Sequence, residues 1–302
     1  MSKTKKRIGL VIAILVIVIG VAWLYLSRVN IPVLEPRGPV ADKEFRLLLL
    51  ISGSMLIVAV PVFILLAYVV WRYREDNPKH GKYEPDWEHS RWLEGLWWAI
   101  PSFLITIFSV ITWHATYSLN PYLPLASKTP ALKIQVVALD WKWLFIYPDQ
   151  HIATVNYFEF PNHTPVHFYL TSDAPMNSFW LPQLSGQIFA MAGMQTQLYL
   201  ASDVKGTYIG RSANISGAGF ADMQFKAISV NSSSFVRWVS RVKNSSPALS
   251  TMAYASLAKP SSSYPSANYS NPAQNLFELI MAQYMQPMNG GSMMSGSGGM
   301  SS

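Results

Sequence analysis

Three long stretches of the chain run apolar without a single Asp, Glu, Lys or Arg: residues 8–26, 47–71 and 96–117. A run of about 20 apolar residues is long enough to carry a helix across the hydrocarbon core of a bilayer. Lipid offers the backbone no hydrogen-bond partners, so each such run has to be helical. The pattern predicts a transmembrane helix hairpin within 31–120 and a further N-terminal apolar segment within 1–30. The basic start Lys3, Lys5, Lys6 and Arg7 would also suit a signal peptide. The first run is longer than a usual signal core and no A-x-A site follows it, which favours an uncleaved third helix. Pro61 and Pro101 fall inside the second and third runs, a placement that membrane helices tolerate.

Beyond Pro130 the period changes. Short runs rich in Val, Ile, Thr and aromatics occupy 132–139, 141–147, 166–171, 196–200 and 223–230, separated by Pro, Gly, Asn and Asp. Such spacing predicts an all-β sandwich or barrel over 121–230. Residues 234–243 and 247–258 read as short helices on the sandwich edge, within a helical extension over 231–285. One more helical segment is expected at 277–285. The Gly/Ser/Met composition of 286–302 predicts a disordered tail. Its methionines lack His neighbours and regular spacing, so copper capture is not the favoured reading.

Charge sets the direction of the helices. Of the 23 Lys and Arg, 13 precede Asn120, mostly at the ends of apolar runs. Arg72, Arg74, Lys79, Lys82 and Arg91 cluster between the second and third runs, which places that loop on the cytoplasmic side. Everything after Ser118 then lies outside. The net charge of +7 shows no basic stripe interleaved with aromatics, so a nucleic-acid partner is not expected. There is no cysteine, which excludes disulfides, thiolate metal sites and a lipidated Cys. No G-x-S-x-G elbow, H-E-x-x-H or P-loop pattern occurs.

Several strings together carry a family resemblance. They are Trp87-Glu-His-Ser with Glu94 and Trp98-Ala-Ile-Pro101, then Val136-Val-Ala-Leu-Asp-Trp-Lys-Trp-Leu-Phe-Ile-Tyr-Pro148. Phe160-Pro-Asn-His-Thr-Pro-Val166, Met191-Ala-Gly-Met-Gln-Thr196 and Gly217-Ala-Gly-Phe-Ala-Asp-Met-Gln-Phe-Lys226 follow in order. The chain resembles subunit II of haem-copper oxidases over roughly 33–258, and its quinol-oxidase branch in particular, the bo-type ubiquinol oxidases. The resemblance implies a cupredoxin-like Greek-key sandwich on a membrane anchor, held in a bacterial inner membrane with the sandwich periplasmic. It implies a complex that oxidises ubiquinol, reduces oxygen to water and pumps protons. Haems and copper would sit in a partner subunit I, beside smaller subunits III and IV, with no cofactor in this chain. The alternatives are a cytochrome c oxidase subunit II, or a membrane-tethered periplasmic binding module on the same fold.

In the cytochrome c oxidase branch the sandwich holds two coppers, on an early His and a late C-x-E-x-C-x3-H-x2-M motif. Laid on this chain, the early His falls on Asn177. The two Cys fall on Ser212 and Ser216, the Glu on Asn214 and the second His on Phe220. Only the Met remains, as Met223. Copper pairs need soft thiolate and imidazole donors, and a neutral hydroxyl does not bridge them. Met223 alone reads as core packing.

The resemblance also marks Glu94, at the start of the last membrane helix, as a carboxylate at the mouth of a proton channel; the plain alternative is an ordinary interfacial acid. His163 and His167 are read as lying on one face of a strand and His151 in a turn, all three solvated or hydrogen-bonded rather than metal-bound. Trp141 and Trp143 are expected to pack against the partner subunit.

Overall fold

The computed structural model describes residues 17–18, 20–21, 23–29, 31–73 and 89–285. Described residues from 17 to 26 are helical. The rest of the first apolar run, most of the basic loop and the Gly/Ser/Met tail lie outside the described residues. So do the expectations of an uncleaved first helix and a disordered tail.

Two long helices form the anchor, α1 (Pro39–Arg72) and α2 (Arg91–Ser118). Both continue through their prolines, Pro61 and Pro101. Neither buries any residue of its most apolar window against the rest of the chain, so their apolar faces are free for lipid or a partner. At 1.5 Å per residue α1 is about 51 Å long, well beyond a core of about 30 Å. Its first two turns carry Asp42, Lys43, Glu44 and Arg46 and therefore stand clear of the apolar run.

The strands that follow are β1 (Leu132–Leu139), β2 (Lys142–Tyr147), β3 (Ile152–Val155), β4 (Tyr157–Pro161), β5 (Val166–Ser172) and β6 (Asn177–Trp180). Then come β7 (Gln187–Ala190), β8 (Thr196–Leu200), β9 (Gly206–Ser212) and β10 (Gln224–Val230). A last strand, β11 (Ala267–Ser270), lies among the terminal helices α3 (Ser232–Ser245), α4 (Thr251–Leu257) and α5 (Leu276–Ala282). Among the described residues the strands make two sheets, ordered β11-β3-β2-β1-β5-β8 and β4-β10-β9-β6-β7. The chain changes sheet repeatedly, so β1 pairs parallel with β5 and β10 with β4, while the other pairs are antiparallel. A two-helix anchor, a β-sandwich and short C-terminal helices are the fold class expected from the sequence.

The first sheet is buried on both faces. Ile134, Val136 and Ala138 of β1 point into the core between the sheets, with Trp143, Phe145 and Phe179. Val137 and Leu139 point the other way, into a second cluster with Leu249, Tyr254, Leu257, Phe277 and Ile280. Double burial explains why β1 and β2 read as nearly continuous apolar runs. In the second sheet β9 and β10 alternate between buried and exposed, as a half-solvated sheet does. Helix α3 sits on the sandwich edge as expected, adding Phe235, Trp238 and Val242 to the inter-sheet core. Helix α4 does not: together with α5, the helical segment expected near 277–285, it covers the outer face of the first sheet as a third layer. The reason is that sheet's second apolar face, which alternation within β1 and β2 had already created.

Candidate functional site

The positions that the resemblance sets against copper ligands gather at one end of the sandwich. Asn177 opens β6, Ser212 closes β9, and the two strands pair at Phe179 and Ser212. Ser212 Oγ donates to Asn177 Oδ1 at 3.0 Å, with the Asn214 carbonyl oxygen at 3.2 Å as a second acceptor. Asn177 Nδ2 donates to the Pro175 carbonyl at 2.8 Å, and Ser178 Oγ donates to Asn214 Oδ1 at 3.1 Å. The Ser212 amide donates to the Met223 carbonyl at 3.2 Å. Met223 itself is buried in the inter-sheet core, the packing role expected of it. Ser216 and Phe220 stand farther along the same loop, Phe220 opening a 3-10 turn over Phe220–Asp222.

This arrangement is a neutral hydrogen-bonded plug. Its side-chain amide oxygens are already taken by serine hydroxyls, and it brings neither a negative charge nor an imidazole. Ser216 Oγ is buried with no hydrogen-bond partner among the described residues. A lone hydroxyl is no substitute for a bridging thiolate, so the donor set does not fit a copper pair. Among the described residues no group of three or more His, Cys, Asp or Glu could hold a metal ion.

Trp141 clamps the loop from above. It forms, with Asp140, the two-residue turn between β1 and β2, where Leu139 pairs with Lys142. Its φ of 62° lies in the left-handed region, uncommon for a bulky residue. Trp141 Nε1 donates to the Ser216 carbonyl at 3.2 Å. The indole lies against Gly217 and Gly219, where an added Cβ would come within 3.1 Å and 2.5 Å of ring atoms. Only glycine allows so close an approach. A second clasp comes from the C-terminal layer, where Ser263 Oγ donates to Asp222 Oδ2 at 2.7 Å.

Other expectations divide. Trp143 does not face a partner: it is fully buried between the sheets, edge-on to Phe179 and Phe225. The left-handed turn at Trp141 separates the two indoles, so strand alternation never pairs them. Lys142, between them, is buried under the C-terminal segment, and Nζ donates to the Lys259 carbonyl at 2.8 Å and to Ser261 Oγ at 2.5 Å. His163 is not on a strand: it sits at φ 55° in the turn before β5, 4.0 Å from Asp203. His167 is on β5, stacked 3.9 Å from the Tyr199 ring and 2.9 Å from Gln197 Oε1. Burial pushes its pKa down, against the opposing effect of Gln197. His151 occupies a turn at φ 55°, as expected.

At the opposite end of the anchor, Glu94 lies in the first turn of α2, partly exposed. His89 Nδ1 stands 3.4 Å from Glu94 Oε1. A feature that sequence reading missed is Asp173, just after β5, which accepts the hydroxyls of Tyr254 and Tyr284. No spacing in the sequence links residues so far apart.

The C-terminal layer is matched by a family model described as the COX Aromatic Rich Motif, over residues 243–288. A cytochrome bo(3) ubiquinol oxidase subunit 2 of Pseudomonas putida is 47% identical over 268 residues, which cover 89% of this chain and 85% of that protein. A ubiquinol oxidase subunit 2 of Acetobacter aceti is 43% identical over 267 residues, covering 88% and 86%. Among solved structures, the periplasmic domain of subunit II of cytochrome oxidase of Bradyrhizobium japonicum aligns at 19% identity with a TM-score of 0.36, over 38% of this chain and 95% of that one.

Proposed function

The chain belongs to the subunit 2 family of ubiquinol oxidases, and from that premise we propose that it is the copper-free second subunit of a quinol-oxidising, oxygen-reducing proton pump. The observation that carries this reading is the plug of Asn177, Ser212 and Asn214 where copper ligands would stand. Without a copper pair the sandwich is no relay for electrons from a soluble donor. Electrons would instead pass from quinol within the membrane to haems and copper in the partner subunit I. The sandwich would lie on the periplasmic side of the inner membrane, as an outer cap and assembly surface. Smaller subunits III and IV would complete the complex.

Glu94 is proposed as the carboxylate at the mouth of a proton path into subunit I. Its placement at the water-facing start of α2, with His89 as a titratable neighbour, supports that role. The reading as a whole is tested by purifying the assembled complex in mild detergent. It predicts a haem spectrum and oxygen uptake driven by ubiquinol. A chain that copurifies with no haem-bearing partner would overturn it in favour of a tethered binding module.

A further inference from the structure

We infer that residues 259–264 form a strap, pinned by Lys142, through which the C-terminal layer holds the loop from Ala213 to Met223. Lys142 opens β2 and is fully buried, yet among the described residues no carboxylate forms an ion pair with it. Burying an ammonium is costly unless its donors are used. Burial pushes its pKa below the usual lysine value, with Asp140 pulling the other way. Nζ donates to the Lys259 carbonyl at 2.8 Å and to Ser261 Oγ at 2.5 Å, and stands 5.0 Å from the centre of the Tyr264 ring. An ammonium has three donors and no acceptor, so two oxygens and one ring face engage it on three sides. All three partners lie within the strap.

The same stretch reaches onward to the loop. Ser263, at φ 52°, donates its Oγ to Asp222 Oδ2 at 2.7 Å. The Tyr264 carbonyl accepts from Asn156 Nδ2 at 2.7 Å, which fixes the strap's far end on the sandwich. Trp141, next to Lys142 in the chain, grips the loop's other limb at the Ser216 carbonyl. Two consecutive residues of one hairpin therefore hold the loop, one directly and one through the strap. A methionine at 142 would fill similar space without burying a charge, so packing alone gives no reason for a lysine there. Its donors do, because they select the strap. The inference gives a task to part of the segment matched over 243–288, and it rests on these contacts rather than on the subunit assignment.

The test is hydrogen exchange, read by mass spectrometry on the full chain in its purified complex. In Lys142→Met, exchange in 259–264 and in 213–223 should rise together, on the order of tenfold, with β1 and β2 unchanged. Ser263→Ala should speed the loop and leave 259–261 protected, because the pin is intact. Adding Ser263→Ala to Lys142→Met should then change the loop no further, since a released strap has nothing left to lose. Simple loss of packing would make the two effects add, and additivity overturns the inference. So does a loop that exchanges as in wild type when Lys142 is replaced. If Lys142→Met fails to assemble, Ser261→Ala and Ser263→Ala, singly and together, decide by the same non-additivity. Haem content and quinol-driven oxygen uptake of the same samples report the subunit reading separately.

Discussion

Asp173 ties the C-terminal layer to the sandwich through two tyrosines that lie far from it in sequence. Tyr284 donates to its Oδ1 at 2.7 Å and Tyr254 donates to Oδ2. The bond to Asp173 needs the Tyr284 phenol protonated, which, with some burial, pushes its pKa up to about 12. Tyr254 moves in the same direction, through burial first and the Asp173 bond second. The folded pKa is raised above the unfolded value, so the stabilisation is full below about pH 10 and lost as pH climbs through 12. Asp173→Asn should bring the Tyr284 titration, followed by tyrosinate absorbance, back toward 10; an unchanged titration would show that the carboxylate is not its cause. Glu94 offers a second test at this scale. Glu94→Gln keeps the shape and removes the titratable carboxylate, so on the proposed proton role quinol-driven turnover should fall while haem content stays the same. Full turnover in that variant contradicts a proton role.

The loop from Ala213 to Met223 is held by side chains from two directions. Trp141 lies on Gly217 and Gly219, and Ser263 reaches Asp222 from the C-terminal layer. Gly219→Ala would push a methyl into a rigid indole, at a cost of about 1–3 kcal/mol. Trp141→Ala should cost about 3 kcal/mol, at the lower edge for aromatic truncation because the ring is only partly buried. Hydrogen exchange should then speed up in the loop before the strands respond. Uniform exchange across the domain would argue against a local clamp. In the third layer Phe277 is 1% exposed, and Phe277→Ala should cost about 3–5 kcal/mol in a denaturant midpoint.

Legibility also follows the element. Leu132–Leu139 and Thr196–Leu200 can be read from the chain to the residue, because β-branched and apolar positions run from one turn signal to the next. Asn177, Ser212 and Asn214, singled out together from the chain, are brought into hydrogen-bond contact by the fold. Trp143 was misread because the alternation assumed that Trp141 belonged to the strand, whereas it forms a left-handed turn. The helix within 247–258 was placed on the edge for a different reason. Nothing local in 247–285 says which face it covers; that is set by Val137 and Leu144 more than a hundred residues earlier.

For the whole molecule, the two ends of the anchor have different tasks. At one end stands Glu94, the carboxylate proposed for proton uptake. At the other, the charged start of α1 meets the sandwich, where the Arg37 amide donates to the Gln183 carbonyl at 2.7 Å and the Asp203 amide to the Arg37 carbonyl at 3.0 Å. Those backbone bonds tie the segment that leads into α1 to the sandwich. The sandwich has an aromatic core between its sheets, and the end that holds Asn177, Ser212 and Asn214 is filled with hydroxyls and amides.

That central claim is tested most directly by copper in the purified complex. Electron paramagnetic resonance of the oxidised enzyme, with copper quantified against haem, reads it in one sample. The account predicts no mixed-valence copper-pair signal and no copper beyond that of the partner's oxygen-reducing centre. A copper-pair spectrum that disappears when Ser212 and Ser216 are replaced by alanine would contradict it.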